Sequence, residues 1–438
     1  MQLPIVAPAP IVTAHADIFR DLLENRCQFR HFQPDLTGLI VLANKSLAHI
    51  TRCGLERADK TNLSRFFSAA PWFHDHVNDR RVASLLQQPQ AVRGQQADAI
   101  LMLDETLGEP VGKLFDSVDR HDDHGDDTYP LAHHPVTRHD VRGPVCLPLD
   151  LRVYRRDEAR THGEGFVRTH CPDRPSPTTQ QERARRPKAM APVLLDARDF
   201  QQFHQQCRTK IALGLALVEA AIRHKVPGSV LVCARWYLAD ALVAIARYHT
   251  KDWGGLLKKN RHLETNSVGL QEAAGQPSRL AGPPMAVEDL VPLLPPTASR
   301  AVTGGDTTSW TLTLAVRLPG LGQVRLGGSF KNAEWTGTYG VLVSHRGDGK
   351  AQRLLTLYGH CWPLATFYQD GTGHRGVDAY RMRNAEAMQK HWWLVCVASS
   401  LVHLEGPPSS PTKGSVPVKT MGEACRRQAR ALIEGLIL

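Results

Sequence analysis

The chain has no long apolar run, no C-x-x-C pair and few aromatic residues, and each shortage removes a class of protein. No segment approaches the ~20 consecutive apolar residues of a bilayer-spanning helix, so a membrane protein is not expected. The nearest candidate, Ile211 to Ile222, is interrupted by Gly214 and Glu219 and reads as a buried helix. The nine cysteines, at 27, 53, 146, 171, 207, 233, 361, 396 and 425, are scattered. That odd, scattered set argues against a disulfide framework and a Cys-rich zinc site, and points to a reducing compartment. The start, Met1 to Val12, holds three prolines and no basic residue, which does not suit a secretory signal. A cytoplasmic protein, nucleoid-associated if bacterial, is the expectation.

Acids are short as well: 43 Asp+Glu against 53 Lys+Arg leave a formal charge of +10 over 438 residues, with a pI near 9.2. Apolar residues at 42% and charged residues at 22% are ordinary for a globular chain, which excludes a wholly disordered, collagen-like or coiled-coil protein. The length leaves room for several domains and a sizeable core. Excess positive charge makes a polyanion the natural partner.

Up to about residue 90 the pattern is helical. Ser46 to Arg52, Gly54 and then Asp59 to Phe67 outline a helix, a turn and a second helix capped by Asp59. In a helix-turn-helix the second helix would present Lys60, Asn62, Ser64 and Arg65 to phosphates and base edges. The same outline also suits a helical hairpin with a solvated face. Ala99 to Leu103 then predicts a buried strand ending in Asp104, Glu105 and Thr106, and Pro144 to Tyr154 a further strand. Between them lie His121, Asp122, Asp123, His124, Asp126, Asp127, His133, His134 and His139. These residues lack the helical spacing of a zinc site, and a solvated loop is the expectation.

Residues 156–192 read as a basic, proline-containing linker, with Arg183, Arg185, Arg186 and Lys188. A helix from Ile211 to His224, a strand from Ser229 to Cys233 and a helix from about Ala239 to Tyr248 predict an α/β core covered on both faces. From about Leu257 to Ser344 alternation predicts antiparallel strands over Trp310–Leu318, Gly322–Phe330 and Tyr339–Ser344. Gly327, Gly328 and Gly340 fall inside those strands, where they suggest weakened pairing. Helices are expected again over Ala385–Leu404 and Met421–Leu438.

Several short stretches occur in a telling order: Leu103-Asp104-Glu105-Thr106, Val230-Leu231-Val232 with Trp236-Tyr237-Leu238, Leu256 to Arg261, Phe367 to Gly371, Asp378 to Arg383 and Lys390-His391-Trp392. In this order the chain resembles the DDE transposases of insertion sequences, in the branch whose RNase H-like core carries a β insertion. The resemblance runs from roughly Phe29 to Ala431. It implies an α/β fold, an RNase H-like mixed sheet flanked by helices, divided as follows. Residues 1–90 would form an all-α DNA-binding domain, 91–256 and 349–405 the two parts of the core, 257–348 the insertion, and 406–438 a linker and terminal helix.

The implied chemistry is DNA cut-and-paste transposition, in which two divalent ions, Mg2+ or Mn2+, stabilise the attacking and leaving oxygens at a phosphodiester. The implied partner is double-stranded DNA bearing terminal inverted repeats, bound by a homodimer, with Lys258, Lys259 and Arg261 among the DNA-contacting residues. Of the family's three metal carboxylates, the first is matched by Asp104, but Ala234 stands at the second position and Ala365 at the third. The accompanying Tyr is kept as Tyr358, while Cys361 replaces an Arg and Thr372 a Lys. Alanine ligates no metal, and neither Cys nor Thr forms a guanidinium fork or carries a lysine's charge. Glu105, Asp240, Asp370 and Asp378 lie near these positions. A ligand displaced by one residue along a strand faces the wrong side, so substitution is not expected. The expectation is therefore a transposase-like protein with impaired catalysis. The alternative is a non-catalytic DNA-binding protein that occupies transposon ends or inhibits an active transposase.

Overall fold

The computed structural model describes residues 5, 7–54, 60–88, 99–109, 115–116, 118–121, 128–142, 145–155, 165–173, 179, 182, 186, 189–190, 192–194, 196–201, 208–266, 282–304, 307–346, 354–356, 359, 364, 367–368, 376–377, 380, 382–404 and 421–437. The chain begins with helices α1 (Pro10–His15), α2 (Arg26–Val41), α3 (Leu47–Cys53), α4 (Lys60–Ser68) and α5 (His74–Gln87). Strand β1 (Ile100–Glu105) follows, then a two-stranded ribbon of β2 (Asp119–Arg120) and β3 (Leu131–Ala132), then β4 (His134–Arg142) and β5 (Val145–Tyr154). Next come α6 (Lys210–Arg223), β6 (Val230–Cys233), α7 (Asp240–Tyr248) and β7 (Asp252–Leu256). A small ribbon of β8 (His262–Leu263) and β9 (Met285–Ala286) precedes β10 (Arg300–Gly304), β11 (Thr307–Leu318), β12 (Gly322–Phe330) and β13 (Gly340–Ser344). Helices α8 (Ala385–Leu404) and α9 (Met421–Ile437) close the chain.

Nine strands form one mixed sheet in the order β10-β11-β12-β13-β7-β6-β1-β4-β5. Pairing is antiparallel for β5-β4-β1 and parallel for β1-β6-β7. The short parallel strand β6 is apolar throughout and fully buried, as expected where both faces are covered. Helix α6 starts after Thr209, whose side chain accepts from the Ala212 N–H. It lays Leu213, Leu217 and Val218 against Leu101, Leu103 and Val136, and Leu242 and Val243 of α7 join the same cluster. On the alternate residues of β1, Ile100 and Met102 pack with Val141, Val230, Val232 and Leu364.

Strands β10 to β13 of the 257–348 segment belong to the nine-stranded sheet. They continue the central sheet through the β13–β7 pairing, and Leu312, Leu314, Val324 and Val341 share one apolar cluster with α6 and α7. A Cβ on Gly340 would meet nothing within 4 Å, but Gly327 and Gly328 are not weak points: a Cβ on Gly327 would lie 2.8 Å from Leu354 Cδ1, and one on Gly328 3.0 Å from the Phe330 ring. Pairing of β12 with β11 and β13 runs unbroken through both positions.

The histidine-rich patch is no solvated loop where the structure describes it. His121, His133, His134 and His139 are buried, and His134 and His139 sit on β4, between β1 and β5. Buried polar groups there are paired along the strand, as Asp140 is with Arg142 at 2.7 Å. Asp122, Asp123, His124, Asp126 and Asp127 lie outside the described residues.

The helical head shares its core with the end of the chain. Phe29, Phe32, Leu36, Phe66, Phe67 and Trp72 cluster with Trp392, Trp393 and Val397 of α8. Arg81 of α5 fixes this unit to the sheet: its guanidinium donates to Pro148 O at 2.6 Å, Ser400 Oγ at 2.8 Å and Leu149 O at 3.1 Å. Among the described residues no helix is long and apolar enough to cross a membrane.

Candidate functional site

The parallel pairing of β1 with β6 sets Leu103 opposite Cys233, so the next residues, Asp104 and Ala234, stand side by side at the carboxyl ends of adjacent strands. The Ala234 N–H donates to Leu103 O at 3.0 Å and fixes this alignment. Asp104 accepts from the Glu105 N–H at 2.9 Å. Burial pushes its carboxyl up to about 7, with the Glu105 charge adding to the effect. Beside it, Thr137 on β4 donates to Asp104 O at 3.3 Å, and the Tyr368 phenol meets the Thr137 hydroxyl. Tyr368 is pushed well above the usual tyrosine range by burial, with Asp104 the next cause. The segment carrying Leu364 and Tyr368 therefore covers the face to which Asp104 belongs. Tyr358, Cys361, Ala365 and Thr372 lie outside the described residues, as do Asp370 and Asp378.

Strand alternation sends Glu105 to the opposite face, under α6. There it accepts from Tyr237 Oη at 2.7 Å and Lys210 Nζ at 3.2 Å, and His134 Nε2 lies 3.3 Å away. Burial raises this carboxyl, but His134, Lys210 and Tyr237 outweigh it and hold Glu105 down at about 2. Tyr237 is pushed up by its own burial and by the Glu105 charge. Glu105 thus belongs to a saturated internal cluster and does not converge with Asp104. Asp240 is drawn away as well, facing Arg261 at 3.6 Å.

A pair of divalent ions needs several converging carboxylates. Among the described residues no group of three His, Cys, Asp or Glu side chains could hold a metal ion. Asp104 stands beside a methyl group, and a carboxyl half-protonated near neutrality is a poor ligand. The described donors do not fit an Mg2+ or Mn2+ pair.

The expected DNA-contacting residues fall in two places. On α4, Asn62, Ser64 and Arg65 are exposed, while Leu63, Phe66 and Phe67 anchor the helix in the head core. Lys60 begins α4, with its side chain outside the described set, as is Asp59. After β7, Lys258 Nζ sits 3.1 Å from the centroid of the Trp236 ring and Lys259 Nζ 3.8 Å from that of Tyr339. Arg261 also donates to Pro319 O at 3.1 Å.

Sequence reasoning missed Lys210, His134 and Tyr237 as parts of one cluster. The usable signal was slight: Lys210 follows a capping threonine at the start of an apolar helix, and Tyr237 lies three residues past Ala234. Nothing local announces that His134, on another strand, joins them. No protein-family model matches the chain, and no curated protein matches it.

Proposed function

We propose that the chain is a transposase-like, DNA-binding protein with an RNase H-like core whose two-metal site has been dismantled. The observation that carries this reading is the adjacency of Asp104 and Ala234 at the ends of two parallel strands. That is where the family pattern requires its first two carboxylates. The order β5-β4-β1-β6-β7, an antiparallel meander followed by two parallel crossovers, supports the same core, and β10–β13 follow its last strand as the insertion would.

One carboxylate facing a methyl group cannot clamp two ions between an attacking and a leaving oxygen. The remaining activity is binding. The polar face of α4, with Asn62, Ser64 and Arg65, stands clear of the head core and suits duplex DNA. A chain with this face and no working metal site would occupy terminal inverted repeats, as a homodimer on paired ends, or inhibit an active relative by co-assembly. Mg2+ or Mn2+ belongs to the ancestral chemistry.

The test is incubation with duplex DNA carrying the terminal repeats of the chain's own element, with Mg2+ or Mn2+, followed by a search for nicked or hairpin products. Specific binding without cleavage is expected. Cleavage by the unaltered chain would overturn the claim of a dismantled site. The combined substitutions Ala234→Asp, Ala365→Glu, Cys361→Arg and Thr372→Lys should restore cutting. A folded, DNA-binding variant that stays silent would show that these are not the vacated positions.

A further inference from the structure

We propose that the cavity between the end of α2 and the start of α9 binds a carboxylate with an aliphatic tail of medium length, the tail inside and the carboxylate between Lys45 and Arg426. This site is separate from the strand ends described above, and the proposal stands apart from the DNA-binding reading.

The cavity has a volume of about 250 Å³ and opens to solvent on one side. Side chains at a helix contact normally close gaps larger than one water, and this one has the volume of about eight. The last turn of α2 and the residues after it contribute Ile40, Leu42 and Lys45, and α9 contributes Cys425, Arg426 and Ala429. Cys425 and Ala429 lie one helical turn apart, so a single face of α9 forms the wall. Another face anchors that helix. Ala424 and Gln428 are each 2% exposed, and Gln428 Oε1 accepts from the Ile11 N–H at 3.1 Å. The wall is therefore free of the task of holding α9 in place.

The lining is apolar apart from the Cys425 thiol and the two cations, and among the described residues no carboxylate lines it. Lys45 is only 5% exposed, and its ammonium donates to Leu39 O at 2.5 Å. It thereby answers the carbonyl end of α2 and places a cation within the wall. Arg426 is exposed and stands at the mouth. The first turn of α9 adds the positive end of that helix. Charge of one sign over an apolar floor selects an anion that carries hydrocarbon. A bare anion leaves the aliphatic walls wet, and a neutral hydrocarbon uses neither cation. A carboxylate is flat and matches the fork of a guanidinium.

The test uses the full chain, octanoate as the probe, and iodoacetamide, with modified peptides quantified by mass spectrometry. Octanoate at about ten times its Kd should slow alkylation of Cys425 roughly tenfold. Alkylation of Cys27, which is exposed, should not change. Each methylene removed from the tail should raise the Kd about fourfold. Arg426→Gln should raise it about five- to tenfold, and Ala429→Phe should abolish protection by filling the cavity. Thermal unfolding of each variant separates a filled cavity from a lost fold, and Arg426→Gln carries the test if Ala429→Phe does not fold. Unprotected Cys425 in saturating octanoate would overturn the proposal. Equal protection by octanol would do the same, since the cations would then play no part, as would equal protection by acetate, which would mark a site for bare anions. Protection that grows with protein concentration in the absence of octanoate would make a second copy of the chain the occupant and would also overturn it.

Discussion

Asp35 lies in the middle of α2, fully buried, and among the described residues neither of its carboxylate oxygens has a hydrogen-bond partner. Its helix neighbours Phe32, Leu36 and Leu39 are likewise without exposed surface. Burial moves its carboxyl from an ordinary 3.8 up to about 8. The sign follows from linkage: below pH 3.8 both folded and unfolded chains hold the proton, and the group costs nothing. Between about 4 and 8 the unfolded chain ionises while the folded chain stays neutral, so stability falls by about 1.4 kcal/mol per pH unit. Above 8 the loss levels off at about 6 kcal/mol. Asp35→Asn removes the titration while keeping the shape and a similar unpaired polar group. Urea denaturation of the two proteins should therefore coincide near pH 4. The variant should be more stable by about 4 kcal/mol at pH 7 and by about 6 at pH 9. A stability difference that stays constant from pH 5 to pH 9 would refute this account of Asp35.

Three further outcomes are expected. Glu105→Gln should cost about 2–3 kcal/mol near neutrality through loss of charge-assisted bonds to Lys210 and Tyr237, measured by chemical denaturation. Because Glu105 is held down at about 2, that contribution is present above its ordinary 4.5 and fades as pH falls toward 2, so native and variant curves should converge in acid. Gly327→Ala should destabilise by about 1–3 kcal/mol by pressing on Leu354, and pairing it with Leu354→Ala should recover part of the loss in a double-mutant cycle. Arg81→Met should cost about 3–5 kcal/mol, since Asn78, Ser400 and the carbonyls of Pro148 and Leu149 lose a buried partner. A thermal scan showing an unchanged midpoint would remove Arg81 as the tie between head and sheet.

Strand and helix identity was legible wherever burial repeats with a fixed period. Ala99 to Leu103, Ser229 to Cys233 and the alternating Trp310–Leu318 each lie on a strand, because a covered or half-covered strand writes its environment into consecutive residues. The environment of β4 was not legible. Its His, Arg, Asp and Thr residues look solvated, and only the pairing of β4 with both β1 and β5 makes it interior. Gly327 of β12 failed the same way, for the atom that needs its missing Cβ comes from Leu354, a residue no local pattern connects to it.

Asp104 and Glu105 are adjacent in the chain and belong to different sites, and that separation decides what restoring the proposed metal site would require. Pleating turns Asp104 toward Thr137 and the segment of Tyr368, while Glu105 turns beneath α6 into the hands of Lys210, His134 and Tyr237. Moving Glu105 to the side of Asp104 would flip the strand, exchange Leu101 and Leu103 with Ile100 and Met102 between two covered faces, and break the cluster that Glu105 forms with Lys210, His134 and Tyr237. The neighbouring strand, at Ala234, offers a position for a second carboxylate without that rearrangement. Ala234→Asp alone should make thermal stability respond to Mg2+, whereas the unaltered chain should melt at the same temperature with and without the ion.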